Sequence, residues 1–113
     1  MNIKDMENSA QDAASLLRIL ANEKRLMIVC QLVDGEMNVG ALSEALDARQ
    51  STVSQQLALL RSEGIVSSRK DAQTVYYSIA DEHALRLVSL LYDMFCRPNA
   101  KPKTKRSRSK SLA

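Results

Sequence analysis

Apolar positions recur at helical spacing through the first two thirds of the chain. Met6, Ala10, Ala13, Leu17 and Leu20 fall on one stripe, predicting a helix over residues 6–20. Asn22 is placed to cap a second helix from Glu23 to about Val33, with Leu26, Val29, Cys30 and Val33 inward, and Asp34-Gly35 ends it. Asn38 caps a third. Residues 39–64 then read as two short helices with a tight connection, Val39, Leu42 and Leu46 lining the first and Val53, Leu57 and Leu60 the second. After Gly64 the period changes. Ile65 to Lys70 and Thr74 to Ile79 are short strand-like runs around Asp71-Ala72-Gln73, which predicts a hairpin. Asp81 caps a final helix from Glu82 to about Cys96. The expected fold is mainly α with a small β-hairpin, in the order four helices, two strands, one helix.

The final helix is apolar on two sides. Leu85, Val88, Tyr92 and Phe95 line one, and Leu87, Leu90, Leu91 and Met94 line nearly the opposite one. A chain of 113 residues has room for one modest core. The second face therefore calls for a counterpart from another subunit, a homodimer through the terminal helices, with full burial in the monomer as the alternative.

The helix carrying Val53 presents Ser51, Ser54, Gln55 and Ala58 on its outer face, with Thr52 at the edge and no acid. Short and amide side chains suit a DNA major groove, because Gln bonds adenine edges, Ser and Thr suit bases or phosphates, and small residues allow close approach. A helix-turn-helix follows, against the plainer reading of an ordinary helical hairpin. Ser51, Thr52, Ser54 and Gln55 are the groove candidates, with Gln50 beside them. Arg49, Arg61, Arg69 and Lys70 are phosphate candidates, the last two at the hairpin tip, where a solvated turn is the alternative.

Charge divides the chain. Residues 1–96 carry nine Lys or Arg against 13 Asp or Glu, whereas residues 97–113 hold seven basic residues and no acid. The expected organisation is a DNA-binding and dimerisation domain over 1–96 and a basic tail over 97–113, either a phosphate-attracting arm or a solubilising end. Aromatics are 4% of residues, with no Trp, so stacking single-stranded bases is disfavoured and double-stranded DNA fits better. No apolar run reaches the roughly 18 residues of a membrane span, and the N-terminus lacks a secretory signal, so a cytoplasmic protein is expected.

Order and spacing together resemble the ArsR/SmtB family of winged helix-turn-helix repressors. The resemblance rests on Leu16-Leu17, Leu20-Ala21-Asn22, Lys24-Arg25-Leu26, Val39-Gly40-Ala41-Leu42, Ser51-Thr52-Val53-Ser54-Gln55-Gln56-Leu57, Leu60-Arg61, Glu63-Gly64-Ile65-Val66, Arg69 and Tyr76-Tyr77-Ser78-Ile79, and covers about residues 12–96. Arg49 stands where many members place a Ser cap, and Gln56 where many have His. The resemblance implies a hairpin wing, operator binding and repression.

Many relatives sense metals. The positions of the family's cysteine box hold Asn38 and Gly40 here, and the second family site keeps Asp81 and His83 but continues with Met94 and Arg97. Two ligands per chain make a poor zinc site, so neither metal nor cofactor is expected. The two cysteines, Cys30 and Cys96, are placed like those of the subgroup that senses persulfides and polysulfides. In those relatives the dithiol form represses, and an intra-subunit polysulfide bridge releases DNA. The reading of Cys30 as inert core packing stays open. So do a constitutive repressor or anti-silencer with passive cysteines and, less favoured, a metal sensor. A sulfurtransferase using Cys96 is disfavoured, with His83 alone to act as base and no Gly-rich oxyanion turn, so no enzyme is expected.

Overall fold

The computed structural model describes residues 1–96, and the expected tail at 97–113 lies outside the described residues. The elements are α1 (Ile3–Leu20), α2 (Glu23–Gln31), a single 3-10 turn (Leu32–Asp34), β1 (Met37–Asn38), α3 (Val39–Leu46), α4 (Gln50–Ser62), β2 (Val66–Asp71), β3 (Thr74–Ile79) and α5 (Glu82–Cys96). This is a winged helix-turn-helix.

Side-chain caps set most of the helix starts. The Asn22 amide oxygen accepts from Arg25 N at 3.1 Å, Asn38 from Ala41 N at 2.7 Å, and Asp81 from His83 N at 2.8 Å, as the sequence predicts. The first helix begins earlier than expected, because Asn2 caps it by accepting from Lys4 N at 2.9 Å.

Two helix ends use the same backbone lock. At the end of α4, Ile65 N donates to Leu60 O and Gly64 N to Arg61 O, with Gly64 at φ 78°. At the end of α3, Ala48 N donates to Ser43 O and Asp47 N to Glu44 O, with Asp47 at φ 53°. Each pair satisfies carbonyls that the helix leaves open, and the left-handed residue turns the chain sharply. The Asp47 lock makes the tight connection between α3 and α4.

The sheet has three antiparallel strands in the order β1-β3-β2, one more than the sequence predicts. Met37 pairs with Tyr77 and Asn38 with Tyr76. Two residues are too few for a period to register. In the wing, Asp71 pairs directly with Thr74, so the turn is two residues, Ala72-Gln73, rather than three. Ala72 sits at φ 58°.

The core joins Leu20, Ile28, Val29, Leu32, Leu42, Val53, Leu57, Leu60, Ile65, Val66, Ala84 and Val88. The α4 stripe is as expected, but α2 and α5 differ. The buried face of α2 centres on Ile28 and Val29, and Val33 is exposed. Leu32 continues that face four residues after Ile28, and the 3-10 turn that starts there breaks the helical period before Val33. On α5 the buried residues are Ala84 and Val88, with Leu87 and Leu91 half-buried, while Leu85, Leu90, Tyr92, Met94 and Phe95 are exposed. Two apolar sides remain uncovered, though with a different membership. On α1, Met6, Ala10, Ala13 and Leu17 are also exposed, so that stripe packs inward only at Leu20. No helix among the described residues is long and apolar enough to cross a membrane.

Candidate nucleic-acid interface and thiol pair

Burial of Val53, Leu57 and Leu60 turns the opposite face of α4 outward. Gln50, Ser51, Ser54, Gln55, Ala58 and Arg61 are exposed there, and Thr52 is half-buried at the edge. Arg49 occupies the N-cap with extended backbone but makes no side-chain cap. The first N–H groups of α4 are therefore left without a side-chain acceptor at the positive end of the helix, an arrangement that favours a phosphate oxygen. The groove candidates share one surface, with Arg49 and Arg61 at opposite ends of it.

Arg69, a phosphate candidate, is engaged within the chain. Its Nε donates to the two oxygens of Glu36 at 3.1 and 3.0 Å, its Nη2 donates to Glu36 Oε1, and its guanidinium lies 4.9 Å from the Tyr76 ring centre. Asp71 stands 3.8 Å away. The guanidinium fork matches a carboxylate in two bonds and stacks on an aromatic face, so it holds the wing to the segment before β1. These bonds keep the Glu36 carboxyl below its usual range. Lys70 is exposed and makes no ion pair among the described residues. Glu36 escaped the sequence reading because nothing in its neighbourhood is periodic. Tyr76 was missed because a three-residue turn puts Val75 opposite Arg69, whereas the observed two-residue turn puts Tyr76 there.

Arg25 and Gln56 form a second polar contact that spacing did not reveal. Arg25 Nε donates to Ile19 O at 2.6 Å and its Nη1 to Gln56 Oε1 at 3.3 Å. One guanidinium thus touches the end of α1 and the middle of α4 from the first turn of α2.

The thiols sit on facing elements. Cys30 is half-buried on α2, Cys96 is exposed at the end of α5, and the two helices pack together. Burial pushes the Cys30 thiol up, and the charge of Cys96 pushes it further in the same direction. Cys96 is the thiol that solvent reaches, and Cys30 is the one whose ionisation burial opposes.

Asp81 spends its carboxylate on capping α5, and the His83 Nδ1 is 3.7 Å from it. Among the described residues no group of three or more His, Cys, Asp or Glu is gathered to hold a metal ion.

Residues 22–68 match the model of the arsR family of bacterial regulatory proteins. The chain is 43% identical to the transcriptional activator HlyU of Vibrio cholerae, over 88% of this chain and 92% of that one. A solved structure of reduced HlyU from that organism superposes with a TM-score of 0.77 at 43% identity, covering 82% of this chain and 98% of the other. The transcriptional repressor BigR from Xylella fastidiosa gives a TM-score of 0.81 at 43% identity, covering 85% and 98%. The homodimeric winged helix-turn-helix DNA-binding domain Mb0332 from Mycobacterium bovis gives 0.66 at 35% identity, covering 77% and 82%. With the helix order and the wing in place, these likenesses identify the chain as a member of the ArsR family of DNA-binding transcriptional regulators.

Proposed function

We propose that the chain is a homodimeric repressor that binds operator DNA as a dithiol and lets go when reactive sulfur joins Cys30 to Cys96. The observation that carries this reading is the placement of two free thiols on the packed helices α2 and α5. Repression is supported by likeness to BigR, homodimerisation by likeness to Mb0332, and a meaningful thiol state by the reduced form distinguished for HlyU. The uncovered apolar sides of α1 and α5 supply the dimer surface, and a twofold dimer suits paired half-sites. Ser51, Thr52, Ser54 and Gln55 read the groove, with Gln50 and Arg49 at the helix entrance. Arg61 and Lys70 take phosphates, and Arg69 does so on leaving Glu36.

The persulfide itself supplies the oxidising equivalents, ending as RSH and hydrosulfide. A cysteine thiolate attacks the sulfane sulfur of a persulfide R–S–SH, the S–S bond breaks, and RSH leaves, so the cysteine becomes Cys–S–SH. With both cysteines converted, the terminal sulfur of one attacks the inner sulfur of the other. Hydrosulfide leaves and a trisulfide remains. The exposed Cys96 reacts first and the half-buried Cys30 closes the bridge. The added sulfur lengthens the bridge beyond the reach of a strain-free disulfide, which needs a Cα separation of about 4.4–6.8 Å. The bridge clamps α2 to the dimer helix and favours a dimer whose recognition helices no longer match successive grooves.

The test is mass spectrometry after glutathione persulfide and, separately, diamide, with operator titration of each product. A Cys30–Cys96 link carrying added sulfur, with weakened binding, is the expected result. One observation favours a second reading, a regulator with passive cysteines: Cys30 is half-buried and its thiol is pushed up, as inert core cysteines are. Replacing both cysteines by Ser separates the two. A variant still released in full by polysulfide would end the switch.

A further inference from the structure

Arg25 is tied at three points. Its own N–H is held by the Asn22 cap at 3.1 Å, its Nε donates to the Ile19 carbonyl at 2.6 Å, and its Nη1 reaches Gln56 Oε1 at 3.3 Å. The Ile19 carbonyl lies in the last turn of α1, where helix carbonyls have no acceptor role inside the helix and a cation is favoured. A planar fork of donors serves two acceptors in different directions at once, which a Lys ammonium on its single flexible stem does not.

Gln56 lies on the flank of α4 that faces α2, next to the groove candidate Gln55. Val53, Leu57 and Leu60 set the depth of the helix in the core, but this flank is not fully packed. An open cleft of about 430 Å³ borders it, lined among others by Lys24, Met27, Asp47, Thr52 and Gln56. Where apolar packing is incomplete, a directional bond decides how far the helix rolls about its axis. Roll is what aims Ser51, Ser54 and Gln55. Cys30 stands on the same helix as Arg25, about one and a half turns further on, roughly 7.5 Å at 1.5 Å per residue.

We propose that Arg25 is a positioning residue that sets the roll of the recognition helix through Gln56, and that the same contact passes a displacement of α2 made at Cys30 to the DNA-reading face. The second half rests on the sulfur-switch reading above. The first half stands on family-level DNA binding alone.

Operator affinity is measured for the full chain in its dithiol form, for Arg25→Lys, for Gln56→Met and for the double variant, with salt titrations of each. Methionine keeps the length of Gln56 and removes the acceptor, and it leaves the Arg25–Ile19 bond intact should Arg25→Lys fold poorly. Each single substitution is expected to weaken binding about three- to thirtyfold, the range of coupling through a contact remote from ligand. The double variant should lose no more than the worse single one, with the salt slope unchanged. Parental affinity in Gln56→Met, losses that multiply in the double variant, or a salt slope reduced by about one in Arg25→Lys, as for a phosphate contact, would each overturn the positioning role.

For the switch half, the parent and Gln56→Met are bridged with glutathione persulfide and the link is verified by mass. The affinity ratio of dithiol to bridged form should be large in the parent and approach one in Gln56→Met. Equal ratios in both overturn the relay alone. A parent that bridges without losing affinity overturns the sulfur switch and the relay with it, while the dithiol cycle still decides the positioning role.

Discussion

Replacing Ala72 by Gly acts on one backbone torsion and on nothing that packs. Ala72 is the first of the two residues between Asp71 and Thr74 in the wing turn, is exposed, and has φ 58°. A left-handed conformation costs an L-residue with a Cβ about 1–2 kcal/mol. Glycine removes that cost but adds about 0.5–1 kcal/mol of unfolded-state entropy. The difference favours A72G by about 0.5–1 kcal/mol. For a domain of this size each 1 kcal/mol moves the midpoint by about 4–8 °C, so a rise of roughly 2–8 °C is expected. Thermal unfolding followed by far-ultraviolet circular dichroism reads it, at one protein concentration because association also shifts Tm. Asp47→Gly is the internal comparison. Asp47 is left-handed too, at φ 53°, but Asp tolerates that region better than Ala, so its gain should be smaller. An unchanged or lowered midpoint in A72G would refute the reasoning, since nothing else at this exposed position changes.

Leu57→Ala, at a side chain with 0% exposure beneath the recognition helix, should cost about 2–5 kcal/mol in urea unfolding, a large part of the roughly 5–15 kcal/mol that a domain has. Glu36→Gln should release Arg69 and remove one negative charge beside the wing. Operator affinity is then expected to rise a fewfold with a steeper salt dependence, and an unchanged slope would mean that Arg69 serves only to hold the wing. Because Arg69 keeps the folded Glu36 carboxyl below its usual range, this ion pair persists above the unfolded value and is lost as pH falls through the lower folded one. Alkylation at pH 8 mapped by mass spectrometry should label exposed Cys96 before Cys30, and Cys30 labelling should accelerate as pH rises past the ordinary thiol value. The raised Cys30 pKa also makes the unfolded chain ionise first, so stability should fall over the same alkaline window.

The parts of the fold that spacing and caps can encode were readable. Asn22, Asn38 and Asp81 mark helix starts because a side-chain oxygen there meets open N–H groups, and Val53, Leu57 and Leu60 mark a buried stripe. Departures from regular period were not. The 3-10 turn at Leu32 shifts the helical phase, so Val33 faces out. On α5, Ala84 is fully buried, yet alanine is too weakly apolar to stand out beside Leu85. The outward surface of α4 followed from its inner stripe. The Arg69–Glu36 and Arg25–Gln56 contacts did not, because they join residues 33 and 31 positions apart and exist only once the helices are in place.

The carbonyl of Ile65 accepts from both Ala80 and Asp81, at 2.8 and 3.3 Å, while the N–H of Ile65 closes the end of α4. One peptide neighbourhood therefore ties both feet of the hairpin to the end of α4 and to the start of α5. On the proposed reading, the hairpin would follow α4, and a change in how two subunits meet through α5 would shift both together.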